Sequence, residues 1–292
     1  MTHPYQVYDV FTDTPLAGNP LAVVFGADDI PTEAMHAIAR EFNLSETVFI
    51  TRPPDEEHAA SVRIFTPARE LPFAGHPTVG SAIALAHREG GASRTVKMAL
   101  KAGPVTSAVT IDDGVGTAEF DAPIVPFVTG TTPDPDKVAQ ALGLTPSDIG
   151  FEGLTPSSAN SGPHFMVVPV ASVEALSKIE RRTSLWVDTF GPGMCDIYCV
   201  TRTGADTFRA RMFAPFEGID EDPATGSAAV AFAAILGPHA QREGLSEYTI
   251  SQGIEMGRPS RVSLTIDMAS DTLKSVRLKG SAVRVAEGTL CV

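Results

Sequence analysis

One motif is written twice in this chain, and that repetition restricts the possible folds more than any other feature. "GHPTVGSA" at 75–82 returns as "DPATGSA" at 222–228, with Asp222 in the place of His76 and with Pro77, Gly80, Ser81 and Ala82 matched by Pro223, Gly226, Ser227 and Ala228. Two neighbouring blocks recur in the same order: "ETVFITR" (46–52) as "DIYCVTR" (196–202), and "VRIFTP" (62–67) as "ARMFAP" (210–215). Matched blocks in register, separated by a nearly constant interval, are the mark of a duplicated fold. Each half is therefore expected to hold the same strand, strand, loop, helix unit.

Local patterns supply the elements. "YQVYDVF", "LAVVF", "ETVFITR", "SVRIFTP", "TVKMAL", "PVTSAVTI" and "GTAEFDA" are short, rich in Val, Ile, Thr and Phe, and bounded by Gly, Pro or Asp, which predicts strands. "PTEAMHAIAREF" places Met35, Ile38, Ala39 and Phe42 on one face and predicts an amphipathic helix. The helices after the repeated motif differ: "TVGSAIALAHRE" and "ATGSAAVAFAAILG" are small or apolar nearly all round, the pattern of a helix enclosed on every side. Ringed by short strands, each would sit inside a strongly curled sheet.

The expected fold class is thus α+β, with two pseudo-symmetric lobes, each a barrel-like curled mixed sheet around a central helix, facing each other across a cleft. Residues 1–120 are assigned to the N-terminal lobe and 121–280 to the C-terminal lobe, with 281–292 free to pack back on the first. Around the helix predicted at "PDKVAQALGL", Asp136 can serve near the cap. "SVRLKGSAVRVAEGTLCV" reads as two strands joined at Gly280.

Composition removes several functions. A net charge of -13 lacks the clustered cations that a nucleic acid requires, so no nucleic-acid partner is expected. No apolar run approaches a membrane span and the N-terminus has no signal-peptide pattern, so a cytoplasmic protein without a membrane partner is expected. Cys195, Cys199 and Cys291 form neither a disulfide framework nor a metal quartet, and the first pair sits in an apolar run as buried small hydrophobes would. His76, His164, Asp222 and Glu46 contain no ligand pair with helical i, i+4 spacing, so no metal is assigned. Nucleophile-elbow, phosphate-loop and dinucleotide motifs are absent from the sequence.

The repeated motif has a chemistry of its own. A helix start presents unpaired N–H groups and a positive dipole end, so two starts on one cleft suit a small carboxylate, with Ser81 or Ser227 adding a hydroxyl. His76 and Asp222 would then stand on opposite walls, unless each merely shapes a helix entry. Glu46, in "NLSETVFI", lies where a loop meets an apolar strand; partial desolvation there suits a carboxylate to general acid–base work, the alternative being a solvated strand-end charge.

"FTDTPLAGNPLAVVF", "NLSETVFI", "RIFTPARELPFAGHPTVGSA", "RMFAPFEGIDEDPATGSA" and "SQGIEMGRPSRV" resemble, in order, the PhzF family of phenazine-biosynthesis proteins, most weakly between 120 and 195. The resemblance implies a diaminopimelate epimerase-like fold, a homodimer, and isomerisation without a cofactor of a substrate such as trans-2,3-dihydro-3-hydroxyanthranilate. It implies Glu46 as the catalytic acid/base, with His76, Asp222 and Ser227 in support; Ser45 and the N–H groups of Gly75 and Gly226, with Ser227, are expected to hold the substrate. Related two-thiol epimerases carry a Cys near each repeated turn; here Ala74 and Pro223 are taken as the equivalent places, which leaves a carboxylate as the proton shuttle. Other readings are an epimerase or dehydratase of another small hydroxy or amino acid, and a non-catalytic binder.

Overall fold

The computed structural model describes residues 2–130, 132–193 and 196–292, apart from the side chain of Glu217. The chain divides into two compact units, Met1–Pro123 with Leu278–Val292, and Ile124–Arg277.

In the first unit the β-branched and aromatic runs form β1 (Thr2–Val10), β2 (Asn19–Phe25), β3 (Glu46–Thr51), β4 (Ala60–Phe65), the short β5 (Glu70–Leu71), β6 (Ser93–Leu100), β7 (Gly103–Asp112) and β8 (Val115–Asp121). Helix α1 (Thr32–Phe42) connects β2 to β3, and α2 (Gly75–Glu89) connects β5 to β6. Strands β2 and β3 are parallel, as are β4 and β6, and the remaining neighbours β1–β2, β3–β4, β6–β7 and β7–β8 are antiparallel. The C-terminal strand, Thr272–Cys291, pairs with both β8 and β1 and closes the sheet into a barrel. Closure leaves no free sheet edge around this ring.

The parallel pair β2–β3 needs a crossover, and α1 supplies it on the outside, seating Met35, Ile38 and Ala39 against Val24, Phe49 and Phe65. Inside the barrel runs α2, in contact with β1, β2, β3, β6, β7 and β8 and buried from Gly75 through Ala86. Small residues permit that enclosure. A Cβ on Gly80 would lie 2.5 Å from Leu21 Cδ2 and 2.9 Å from Val10 Cγ2.

The second unit repeats the order. Its strands are β9 (Phe127–Val128), β10 (Ser157–Asn160), β11 (His164–Pro169), β12 (Ile197–Arg202), β13 (Thr207–Ala214), β14 (Ile219–Asp222), β15 (Gly244–Gln252) and β16 (Ser260–Ala269). Its helices are α3 (Pro135–Ala141), α4 (Val173–Ser177), α5 (Trp186–Phe190) and α6 (Gly226–Ala240). The pairings β11–β12 parallel, β12–β13 antiparallel, β13–β14 antiparallel, β13–β15 parallel and β15–β16 antiparallel reproduce those from β2 to β7. Helix α6 takes the central place, with Gly226 through Ala234 buried, while α3, α4 and α5 form an outer layer over Met166, Val168, Ile197 and Cys199.

Two local expectations change. The cap of α3 is Asp134, which accepts from the Asp136 N–H at 3.0 Å, because Pro135 occupies the first helical position and leaves Asp134 just outside it. Gly280 joins no turn: it lies within the continuous C-terminal strand, where a Cβ would stand 2.5 Å from Cε1 of the Phe11 ring. Cys199 is buried as expected, with its thiol pushed up by desolvation, whereas Cys291 is exposed and Cys195 lies outside the described residues.

Two expectations for experiment follow from these contacts. Because Phe11 is fully buried, Gly280→Ala should cost about 1–3 kcal/mol of stability as the core overpacks, read as a lowered denaturation midpoint; an unchanged midpoint would mean the Phe11 ring has room to move. The Glu70 carboxyl is held below its ordinary value of 4.5 by the hydrogen bond from Arg63, so its contribution to stability is present at neutral pH and is lost as pH falls through its folded pKa. Glu70→Gln should therefore destabilise by up to about 1 kcal/mol at pH ~7, with the gap narrowing in urea titrations as the pH is taken below the ordinary value of 4.5.

Candidate functional site

The chain turns from β5 into α2 through Pro72, Phe73 and Ala74, and the first residues of that helix include two of the expected site residues, Gly75 and His76. Glu46 is the first residue of β3 and His76 the second residue of α2. Their side chains meet: His76 Nδ1 lies 2.9 Å from Glu46 Oε2, with the imidazole 3% and the carboxylate 14% exposed. A carboxylate can only accept, so with Glu46 ionised the proton sits on Nδ1. The other ring nitrogen, His76 Nε2, is buried and has no hydrogen-bond partner among the described residues. A buried polar atom of this kind costs free energy, which a polar group placed beside it offsets. Ser45 adjoins Glu46 and is half-buried, and Gly75 opens the helix.

In the second unit Asp222 closes β14 and is 6% exposed. Pro223, Ala224 and Thr225 lead from it to Gly226 and Ser227, the first two residues of α6. Thr225 Oγ1 donates to Asp222 Oδ2 at 2.5 Å. Gln252, fully buried at the end of β15, donates from Nε2 to Asp222 O at 2.7 Å and to Thr225 Oγ1 at 3.0 Å, and accepts from the Thr225 N–H at 3.2 Å. Gly253 follows with φ +73°, and a Cβ there would stand 2.6 Å from Pro223 O and 3.0 Å from Pro223 Cα. Ser227 is buried, and its carbonyl accepts from Ser161 Oγ at 2.8 Å.

The first unit thus brings Glu46 and His76 together beside Ser45 and Gly75, and the second gathers Asp222, Gly226 and Ser227. The register of the repeat needs correcting, however. The central helices begin at Gly75 and Gly226, so the residue equivalent to Gly226 is Gly75 and not Gly80, with which the motifs were matched. His76 is consequently inside the first turn of α2 and shares its place with Ser227, whereas Asp222 ends a strand ahead of α6. Ser81 is one turn further along α2, fully buried and with no hydrogen-bond partner for its hydroxyl. The residue equivalent to Ala74 is Thr225, since each immediately precedes the central helix, and not Pro223.

His164 is hydrogen-bonded to Asn160 at 2.6 Å. Among the described residues no group of three or more His, Cys, Asp or Glu is placed to hold a metal ion. No helix of the described residues is long and apolar enough to cross a membrane.

Sequence reasoning missed Thr225, Gln252 and Gly253, although the last two stand in "SQGIEMGRPSRV". It also missed a duplicated ion pair that fixes the strand ahead of each central helix. Arg63 Nε donates to Glu70 Oε1 at 2.8 Å, and Arg211 forks onto Glu221 at 2.8 and 2.9 Å. Each guanidinium also lies over the aromatic ring two residues on, Phe65 at 5.1 Å and Phe213 at 5.0 Å. The signal was there in "RIF" and "RMF" of the matched blocks.

Against this geometry the comparisons are specific. The family model for phenazine biosynthesis-like proteins matches residues 8–288. This chain belongs to that family. An uncharacterized isomerase of Mesorhizobium japonicum is 44% identical, covering 100% of this chain and 99% of the relative. The trans-2,3-dihydro-3-hydroxyanthranilate isomerase of Pseudomonas fluorescens is 37% identical over 99% of both chains. The crystal structure of a Bacillus anthracis phenazine biosynthesis protein of the PhzF family superposes with a TM-score of 0.87 at 25% identity, each chain fully covered. The fold is therefore the diaminopimelate epimerase-like one, and the class of activity is that of an isomerase of this family.

The Gly253 contact is directly testable. Gly253→Ala combines an unfavourable φ with a clash against the Pro223 backbone and should cost about 1–3 kcal/mol, measured by urea denaturation. Wild-type stability in that variant would show that the 253–258 turn yields.

Proposed function

We propose that the protein is a cofactor-independent isomerase that moves a proton between carbon atoms of a small cyclic or amino-acid-like carboxylate, of the type of trans-2,3-dihydro-3-hydroxyanthranilate. The observation that carries the reading is the Glu46–His76 pair, with one carboxylate oxygen held by Nδ1 and the buried ring nitrogen Nε2 left without a hydrogen-bond partner among the described residues. In this reading Glu46, as carboxylate, takes a proton from an acidic C–H through its second oxygen. The electron pair spreads into the conjugated system of the substrate. Protonated Glu46 then returns the proton to another carbon, so that no electron or atom is gained from outside and the base is regenerated.

His76 holds Glu46 in place and offers Nε2 to a polar group of the substrate. Asp222 is assigned to the substrate's amino or hydroxyl group, and Ser227 with the N–H groups of Gly75 and Gly226 to its carboxylate. Two features support that last assignment. In neither central helix does the side chain of the residue just ahead of it, Ala74 or Thr225, cap a first-turn N–H, and neither carries an acidic residue in its first turn.

In heavy water with trans-2,3-dihydro-3-hydroxyanthranilate, the wild-type protein should place deuterium on a ring carbon, and Glu46→Gln should lower turnover by about 10²- to 10⁴-fold while leaving the denaturation midpoint within a few degrees. Binding of the substrate without isotope incorporation would sink the isomerase reading. Full turnover by Glu46→Gln would sink the assignment of the base.

A further inference from the structure

Threonine immediately ahead of a helix normally turns its hydroxyl oxygen back to accept from an N–H of the first turn. Thr225 does not: no side-chain cap is made at the start of α6, and the hydroxyl instead donates to Asp222 Oδ2 at 2.5 Å. The same oxygen accepts from Gln252 Nε2 at 3.0 Å. An amide N–H cannot accept, so that bond obliges the Thr225 proton to point away from Gln252 and toward the carboxylate. Gln252 is in turn fixed by its own two backbone bonds, to Asp222 O and from Thr225 N–H, and it is fully buried at the end of a strand. Here the cap is forgone and the hydroxyl is turned to one carboxylate.

We infer that Thr225, oriented by Gln252, is a positioning residue for the reaction: it holds the Asp222 side chain in one rotamer, with its carboxylate turned to the substrate's amino or hydroxyl group. The inference rests on the assignment of Asp222 made above. It adds two residues, both outside the set that the repeated motif singles out as titratable or anion-binding, and it gives the Gln of "SQG" a function.

The test has one arm that needs no substrate. Titrating the Asp222 carboxyl by NMR in protein with carbon-13-labelled aspartate, the loss of a hydrogen bond to the charged form in Thr225→Val should raise its midpoint by about one pH unit, and Thr225→Ser should restore it. Gln252→Met, which keeps the hydroxyl and removes what orients it, should give an intermediate rise. An unchanged midpoint in Thr225→Val overturns the inference whatever the protein's substrate proves to be.

The second arm uses turnover of trans-2,3-dihydro-3-hydroxyanthranilate. Thr225→Val should lower kcat/KM by about 10- to 100-fold, with Thr225→Ser close to wild type. In an Asp222→Asn background the Val substitution should cause little further loss, because the two residues act as one unit. Independent, multiplying losses would assign Thr225 a role other than holding Asp222 and overturn the inference. Wild-type inactivity combined with the shifted titration would instead remove the substrate assignment and leave the positioning intact.

Discussion

Everything else in the first unit is arranged by the enclosure of α2 in a closed ring of strands. A helix surrounded on all sides has no solvent face to receive long polar side chains, so its middle is built of Gly, Ser, Ala and small aliphatics, and Gly80 lets its backbone approach Leu21 and Val10. Enclosure also fixes where its ends emerge. His76 is the second residue of that buried rod, and the strand start that carries Glu46 is part of the wall. The 2.9 Å contact between them is therefore set by the packing of the whole barrel rather than by a flexible loop, the kind of support that a site requiring sub-ångström placement needs.

The same enclosure explains which parts of the structure were legible from the sequence. Strands with alternating or β-branched patterns, the amphipathic α1 and the two central helices all carry a periodicity or a composition tied to burial, and each is found. The register of the repeat was misread because an all-buried helix of small residues has no facing pattern. "GSA" in one copy fits "GSA" in the other wherever along the rod each falls, so Gly80 was matched to Gly226 although the helix starts are Gly75 and Gly226. Gly280 was misread for a related reason: glycine marks either a turn or a close approach, and only the ring of Phe11, far away in sequence, decides between them.

Polar partners of high sequence separation were the least visible. Gln252 meets Asp222 and Thr225 only because β15 runs parallel to β13 while β14 pairs antiparallel to its end, which no local pattern announces. The duplicated Arg–Glu pairs were hidden differently. Arg63 and Arg211 align in the matched blocks, but Glu70 and Glu221 fall in the connecting segment, where spacing between the copies varies. Once the strands are paired, both guanidiniums do the same work, joining the strand ahead of the central helix to its outer layer: Arg63 reaches Thr32 at the start of α1, and Arg211 reaches the carbonyls of Leu176 and Ile179 at the end of α4.

Duplication built two units with one topology, and the residue just ahead of each central helix shows how they diverged. Ala74 has no polar atom to offer the helix, and the first unit draws its carboxylate from the neighbouring strand, as Glu46. Thr225 has a hydroxyl and withholds it from the helix, giving it to a carboxylate supplied by the chain immediately before, as Asp222. Each helix start is left without a side-chain cap, by opposite means. A capping side chain is among the smallest changes that stabilise a helix, and its absence from the residue ahead of both central helices is in keeping with the proposed binding of a carboxylate by their first N–H groups.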